Sequence, residues 1–259
     1  MADVIRERMK DQGHLRMGWP ESGRRGSKAG SGTPARKWAQ VVVGLFLFAV
    51  AMALLIRSGL GLGPWDAFHV GVSTWSGVSV GVAIVVVGFV ILIAGLFLGV
   101  RPGPATIANM FLIGVFLDLI LPHIPEAGAW TAVPYHIGGI ALWGLATGLY
   151  IAPGLGKGPR DGLMLGIAQR SGWPVGRVRT GIELAVLGAG WLLGGPVGVG
   201  TVLFALGIGP ATEWGLGLFG LIPARRSRLS ITLERAARAS KRFRRSGRGA
   251  EPARVNSAR

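Results

Sequence analysis

The chain has 259 residues, a formal charge of +16 and no cysteine; half of it is hydrophobic, 15% is charged, and the mean hydropathy is +0.48. A soluble domain carries about 25% charged residues, so the composition excludes an ordinary soluble enzyme. The lack of cysteine excludes disulfides, thiolate metal sites and cysteine nucleophiles.

The charge is segregated. Nine Lys/Arg precede Trp38 and twelve follow Ile222, while seven Lys/Arg and six acids share the interval between them. Three regions follow: a basic, disordered N-terminal tail (1–36), a membrane domain (37–222) and a basic C-terminal tail (223–259). No nucleic-acid recognition motif accompanies the basic tails, so they read as topogenic charge that also meets anionic lipid. Nucleic acid is not expected as a partner.

In chain order, the first apolar run, 37–56, follows a leader too long for a cleavable signal peptide and reads as a retained span. A glycine-rich break at 58–63 leads into a short segment, 64–76, too short and too polar to cross alone. Spans at 78–100 and 104–121 follow, then a loop at 122–132 carrying Glu126 and Trp130. The order then recurs: a span at 133–152, a break, a short segment at 159–171, and spans at 175–193 and 197–221. In the C-terminal tail, Leu229, Leu233, Ala236 and Phe243 share one face among basic residues, the pattern of an in-plane helix over 228–243; a solvated tail is the alternative.

The recurrence is a repeat at the level of residues. Gly61-Leu-Gly-Pro-Trp-Asp66 returns as Gly156-Lys-Gly-Pro-Arg-Asp161, 95 residues later. In the same ungapped frame Gly71 meets Gly166, Gly103 meets Gly198, Thr106 meets Thr201, and Asp118 meets Glu213. Basic tails on one side demand an even number of crossings. Six spans satisfy this and keep Lys157, Arg160, Arg170, Arg177 and Arg179 on the inner side, whereas a count of eight puts the bilayer between Lys157 and Arg160 at one end of the short segment and Arg177 and Arg179 at the other. The expected fold is all-α and polytopic: two inverted repeats, about 37–121 and 133–222, each of three transmembrane helices plus one short re-entrant or interfacial half-helix. Both termini are then cytoplasmic and the Glu126 loop external.

The repeated Gly-x-Gly-Pro-x-Asp carries the sharpest functional signal. Gly61, Gly63, Gly156 and Gly158 allow a tight break, Pro64 and Pro159 suit a first helical turn, and Asp66 and Asp161 fall where free N–H groups favour an anion. The pattern reads either as a capped helix start or as a path-lining break for an ion or polar solute. Further candidates are acids within the spans, which must be paired, protonated or hydrated. Glu183 has Arg179 one turn before it, Asp118 lies toward the outer end of its span, and Glu213 has no basic residue near it in sequence. His69 shares a helix face with Asp66. No cofactor, metal set or catalytic set is apparent, and an enzyme is not expected.

The run Gly63-Pro64-Trp65-Asp66, then Ser76-Gly77-Val78-Ser79-Val80-Gly81, Arg101-Pro102-Gly103-Pro104-Ala105-Thr106 and Gly114-Val115-Phe116-Leu117-Asp118 resembles the YczE/YitT-like family of bacterial integral membrane proteins, over roughly 37–223. The resemblance implies a multi-spanning cytoplasmic-membrane protein and assigns no activity. Arg160 departs from the tryptophan of the pattern. The expected function is a secondary transporter or permease for a small solute or ion, with a non-transporting accessory or scaffold protein as the alternative; a homo-oligomer is compatible with either.

Overall fold

The break-and-helix units foreseen in the sequence recur with the same limits in both halves of the chain. The computed structural model describes residues 33–156 and 158–221; Lys157 and both outer tails, including the expected in-plane helix at 228–243, lie outside the described residues. Eight α-helices follow one another among the described residues: α1 Pro34–Ser58, α2 Pro64–Ser76, α3 Val80–Phe97, α4 Pro104–Ile120, α5 Ala132–Ile151, α6 Pro159–Ser171, α7 Val175–Leu192 and α8 Val199–Leu218. The starts of α2, α3 and α4 match those of α6, α7 and α8 at the 95-residue offset read from the sequence. Left-handed glycines obey the same offset: Gly59, Gly61, Gly77 and Gly99 pair with Gly154, Gly156, Gly172 and Gly194.

Local chemistry sets these limits. Gly77 and Gly172 end the short helices at φ 75° and 70°, each with its N–H turned back to a carbonyl of the last turn; a side chain there is strained. Ser79 caps α3 by accepting from the Val82 N–H at 3.2 Å. Gly103 and Gly198 begin α4 and α8, and each donates its N–H to a threonine hydroxyl three residues on, Thr106 and Thr201, at 3.2 Å.

Helix α1 is the core element, with Val41, Leu45, Ala49 and Leu55 at 0% exposure. It packs on α5 and α4, and α5 in turn packs on α8. Small residues let the backbones approach. A Cβ on Gly44 would lie 2.8 Å from the Tyr150 nitrogen, and one on Gly144 would collide with the Ala211 carbonyl oxygen. An aromatic chain, Phe48 to Trp143 at 4.1 Å and Trp143 to Phe204 at 5.4 Å, links α1, α5 and α8. The outer helices exchange partners between copies: α2 lies on α7, and α6 lies on α3.

Four helical stretches among the described residues are long and apolar enough to cross a membrane: Pro34–Ser58, Val80–Phe97, Pro104–His123 and Val199–Leu218. The sequence leads to six. The two that fall short are α5, diluted by Pro134, His136 and several glycines, and α7, which carries Arg177, Arg179 and Glu183. In the loop, Arg57 pairs with Glu126 at 3.2 Å and donates to the Leu121 carbonyl at 2.8 Å. This arginine at the end of α1 therefore has a local partner in the loop.

The two copies differ in how their last two helices meet. In the first, α3 and α4 touch through Gly81 and Gly114, where an added Cβ on either would strike the other's carbonyl oxygen. Asp118 fastens the pair, accepting from Ser79 Oγ at 2.5 Å and from the Gly81 N–H at 2.8 Å. In the second copy, Gly176 and Gly209 hold the equivalent positions with nothing within 4 Å of an added Cβ among the described residues. Glu213, equivalent to Asp118, is exposed.

Two stability outcomes follow. Gly144→Leu should destabilise the protein by about 1–3 kcal/mol through overpacking, whereas Gly138→Leu on the same helix, with nothing near its Cβ, should be near neutral; thermal denaturation in detergent compares them. Asp118→Ala should cost about 1–2 kcal/mol by removing the α3 cap, and Asp118→Asn less, read in the same assay.

Candidate functional site

The breaks before α2 and α6 cannot hydrogen-bond to themselves, and each is held by the other copy. The Leu60 carbonyl accepts from the Gly200 N–H at 2.7 Å, and the Leu155 carbonyl accepts from the Ala105 N–H at 3.1 Å, the same bond 95 residues apart with the copies exchanged. Gly61 lies against Gly198 and Thr201, and Gly156 against Gly103 and Thr106. The glycines of the motif are thus close-approach positions: a Cβ on Gly61 would lie 2.9 Å from Thr201 Oγ1, and one on Gly156 would lie 2.8 Å from Thr106 Oγ1.

This docking brings the first turns of α2 and α6 together. Trp65 and Arg160 occupy the same position in the two copies, and they touch: the guanidinium carbon stands 5.0 Å from the Trp65 ring centroid. Arg160 Nη2 is 4.0 Å from Asp66 Oδ1, too long for a hydrogen bond. Asp66 and His69 are each 1% exposed and Trp65 is 8% exposed. Trp65 Nε1, Asp66 Oδ1 and His69 Nδ1 have no hydrogen-bond partner among the described residues. A buried polar atom without a partner costs about 1–3 kcal/mol, and more for a charged group, so one helical turn carrying three is a concentration of unmet polar chemistry.

The two breaks differ in access. In the first, Gly61, Leu62, Gly63, Trp65 and Asp66 are buried, and the Phe204 ring packs against Gly63. Behind it, fully buried His136 faces Ser58 Oγ at 3.0 Å through Nδ1 and the Gly200 carbonyl at 2.9 Å through Nε2. In the second, Leu155, Gly156, Gly158, Pro159 and Arg160 are partly open and Asp161 is exposed. The three atoms nearest a Cβ on Gly158 among the described residues are polar and at ordinary contact: Tyr150 Oη at 3.7 Å, Asn109 Oδ1 and Asp161 Oδ2 at 3.9 Å. Asn109 is the positional equivalent of Phe204, and Tyr150 of Leu55. The same unit is lined by apolar groups in one copy and polar groups in the other.

The sequence candidates therefore separate. Asp66 and His69 lie together at the junction with Pro64, and Asp161 lies at the open break beside Pro159. Neither short helix is capped by a side chain; Gly63 and Gly158 stand at the N-cap positions. Glu183 pairs with Arg179 at 2.8 Å, one turn away, and lies within electrostatic reach of Arg160, as do Asp66, Asp161 and Tyr150. Asp118 is a cap, and Glu213 is exposed on α8. The sequence carried no sign of Tyr150 and Asn109, and it showed Trp65 as part of the motif and Arg160 as a departure from it without bringing the two together. The signal for that pairing was the repeat frame itself, in which the one change of character inside the motif falls on Trp65 and Arg160.

The model for a family of unknown function, DUF6198, matches residues 35–215. The chain is 38% identical over 174 residues to the uncharacterized membrane protein YczE of Bacillus subtilis, a match covering 66% of this chain and 80% of the relative. It is 33% identical over 187 residues to an uncharacterized protein of Haemophilus influenzae, covering 70% and 86%. It is 29% identical over 174 residues to the uncharacterized protein YyaS of Bacillus subtilis, covering 64% and 86%. No solved structure matches the chain. The chain belongs to the DUF6198 family and is a YczE-like membrane protein.

Proposed function

We propose that this chain is a polytopic protein of the cytoplasmic membrane whose copies, 37–121 and 133–222, each cross it three times in opposite senses, and that it carries a small solute or ion by rocking one copy against the other. In this reading α5 and α7 cross as well, their polar residues turned toward protein or the inner surface, while α2 and α6 enter from opposite sides and meet at their first turns. Both tails, 1–36 and 223–259, lie on the cytoplasmic side against anionic lipid.

One observation carries the proposal: two copies of one unit stand in unlike states. The first has its break sealed and α3 closed on α4. The second has its break open and α7 parted from α8. Alternating access needs two such arrangements of one unit, and an internal duplication supplies both in a single conformation. The counterpart state closes Gly176 onto Gly209, brings Glu213 to the N-terminus of α7 as Asp118 now sits at α3, and draws Phe204 away from Gly63. A scaffold has no use for a buried acid whose Oδ1 lacks a hydrogen bond among the described residues at the meeting point of two breaks.

The topology is tested with single cysteines, which the cysteine-free chain accepts cleanly. Of residues 22, 127 and 246 replaced by cysteine, only Ala127→Cys should react with an impermeant thiol reagent in intact cells. Labelling of Ser22→Cys or Ser246→Cys would reject cytoplasmic termini. The movement is tested with the pair Gly176→Cys and Gly209→Cys in liposomes screened for uptake across a solute panel, with and without a proton gradient. The pair should cross-link under oxidation and lose uptake, and regain it on reduction. Undiminished uptake by the cross-linked protein would reject the closing of α7 on α8 as part of the cycle.

A further inference from the structure

The junction of α2 and α6 says what kind of solute it takes, given the transport reading above. Its surfaces are the face of Trp65, Oδ1 of Asp66 and Nδ1 of His69, all on one turn of α2, the last two without a hydrogen-bond partner among the described residues. An aromatic face beside a carboxylate is how proteins hold organic cations. A cation already sits there: the guanidinium of Arg160 lies over the Trp65 ring at 5.0 Å. It is not docked, because 4.0 Å separates it from Asp66 Oδ1, and its side chain remains 27% exposed toward the open break. Asp66, Asp161, Tyr150 and Glu183 lie within electrostatic reach of Arg160. Three of the four are acids, and Glu183 is also engaged by Arg179. An anion drawn to Arg160 and to the two helix starts would have to approach Asp66 and Asp161. A small cation meets unfilled acceptors instead.

We infer that Trp65, Asp66 and His69 form a binding site for a small organic cation with N–H donors, of the ammonium or guanidinium class, and that Arg160 is a tethered occupant which the ligand displaces toward Asp161 and the open break. The ligand's N–H groups bond Asp66 Oδ1 and His69 Nδ1, and its charge lies on the Trp65 face. Trp65 Nε1, a donor, faces any acceptor the solute also carries. Arg160 thereby keeps the buried carboxylate compensated when no ligand is present, which a neutral residue would not do.

The test reads binding without transport. The full chain in detergent is titrated with millimolar guanidinium chloride at constant ionic strength, and its thermal midpoint is followed, with sodium chloride and sodium phosphate as controls. The midpoint should rise and saturate with guanidinium alone. Asp66→Asn should abolish the saturable rise, and Trp65→Leu should weaken it should the Asn variant fold poorly. Arg160→Gln, which removes the tethered competitor, should tighten apparent affinity about tenfold. Glu126→Gln, in the loop at 122–132 and paired only with Arg57 among the described residues, should bind as the parent does. Saturation by phosphate, unchanged binding by both the Asp66 and Trp65 variants, or weaker binding on loss of Arg160 would each overturn the assignment, the last by showing that the arginine recruits the ligand. Cation binding without uptake of any solute would retire the transport reading and leave the site; uptake without cation binding would retire the site and leave transport.

Discussion

The architecture depends on one reciprocal arrangement: each copy's broken backbone is hydrogen-bonded by the other copy's last helix. A break in a helical chain frees N–H and C=O groups that a hydrocarbon environment cannot satisfy. Here the Leu60 carbonyl is met by Gly200, and the Leu155 carbonyl by Ala105. Neither copy has a complete backbone ledger alone, so the two must fold together. The glycines at Gly61, Gly103, Gly156 and Gly198 are what let the backbones come near enough, and this contact brings the short helices end to end. The exchange of α2 onto α7 and α6 onto α3 extends the same interlock outward.

Reciprocity of backbone does not bring identity of side chains. Phe204 closes the first break with an aromatic ring, and Asn109, its equivalent, leaves the second break polar. Ser79 supports the cap on α3, and its equivalent Pro174 cannot donate in that way. In the proposed cycle these substitutions bias which copy closes. A duplicated unit with identical residues would favour neither arrangement, whereas a few changed side chains give one arrangement a lower free energy. In the transport proposed above, the preference that such changes set is what a bound solute has to overcome.

Much of the fold was legible in the sequence because glycine, proline and the acids recur in one frame and because their backbone roles are local. The limits of the short helices, 64–76 and 159–171, coincide with the observed ones, set by a proline at one end and a left-handed glycine at the other. The spans were less sharply legible: 78–100 contracts to Val80–Phe97, because Ser79 caps the start and Gly99 turns the chain after the end. The site divided in the same way. Asp66 was visible through its motif, and the pairing of Glu183 with Arg179 through helical spacing. Glu213 is exposed on α8, and distance from basic residues along the chain says nothing about which helix face is turned outward. Arg160 was seen as a departure from a pattern, and its meaning needed the second copy folded against the first.

That departure is required by where it falls. When two copies of a unit are related by a two-fold, as in the inverted arrangement proposed here, equivalent residues touch only near the axis. Trp65 and Arg160 are such a pair. Two arginines there would set like charges side by side in a buried place, and two tryptophans would leave the Asp66 carboxylate with no positive charge near it. One of each gives a cation over an aromatic face with a carboxylate beside it. The meeting point of a duplicated fold is therefore the place where duplication must be broken in sequence, and the residue that breaks it sets the electrostatics of the junction.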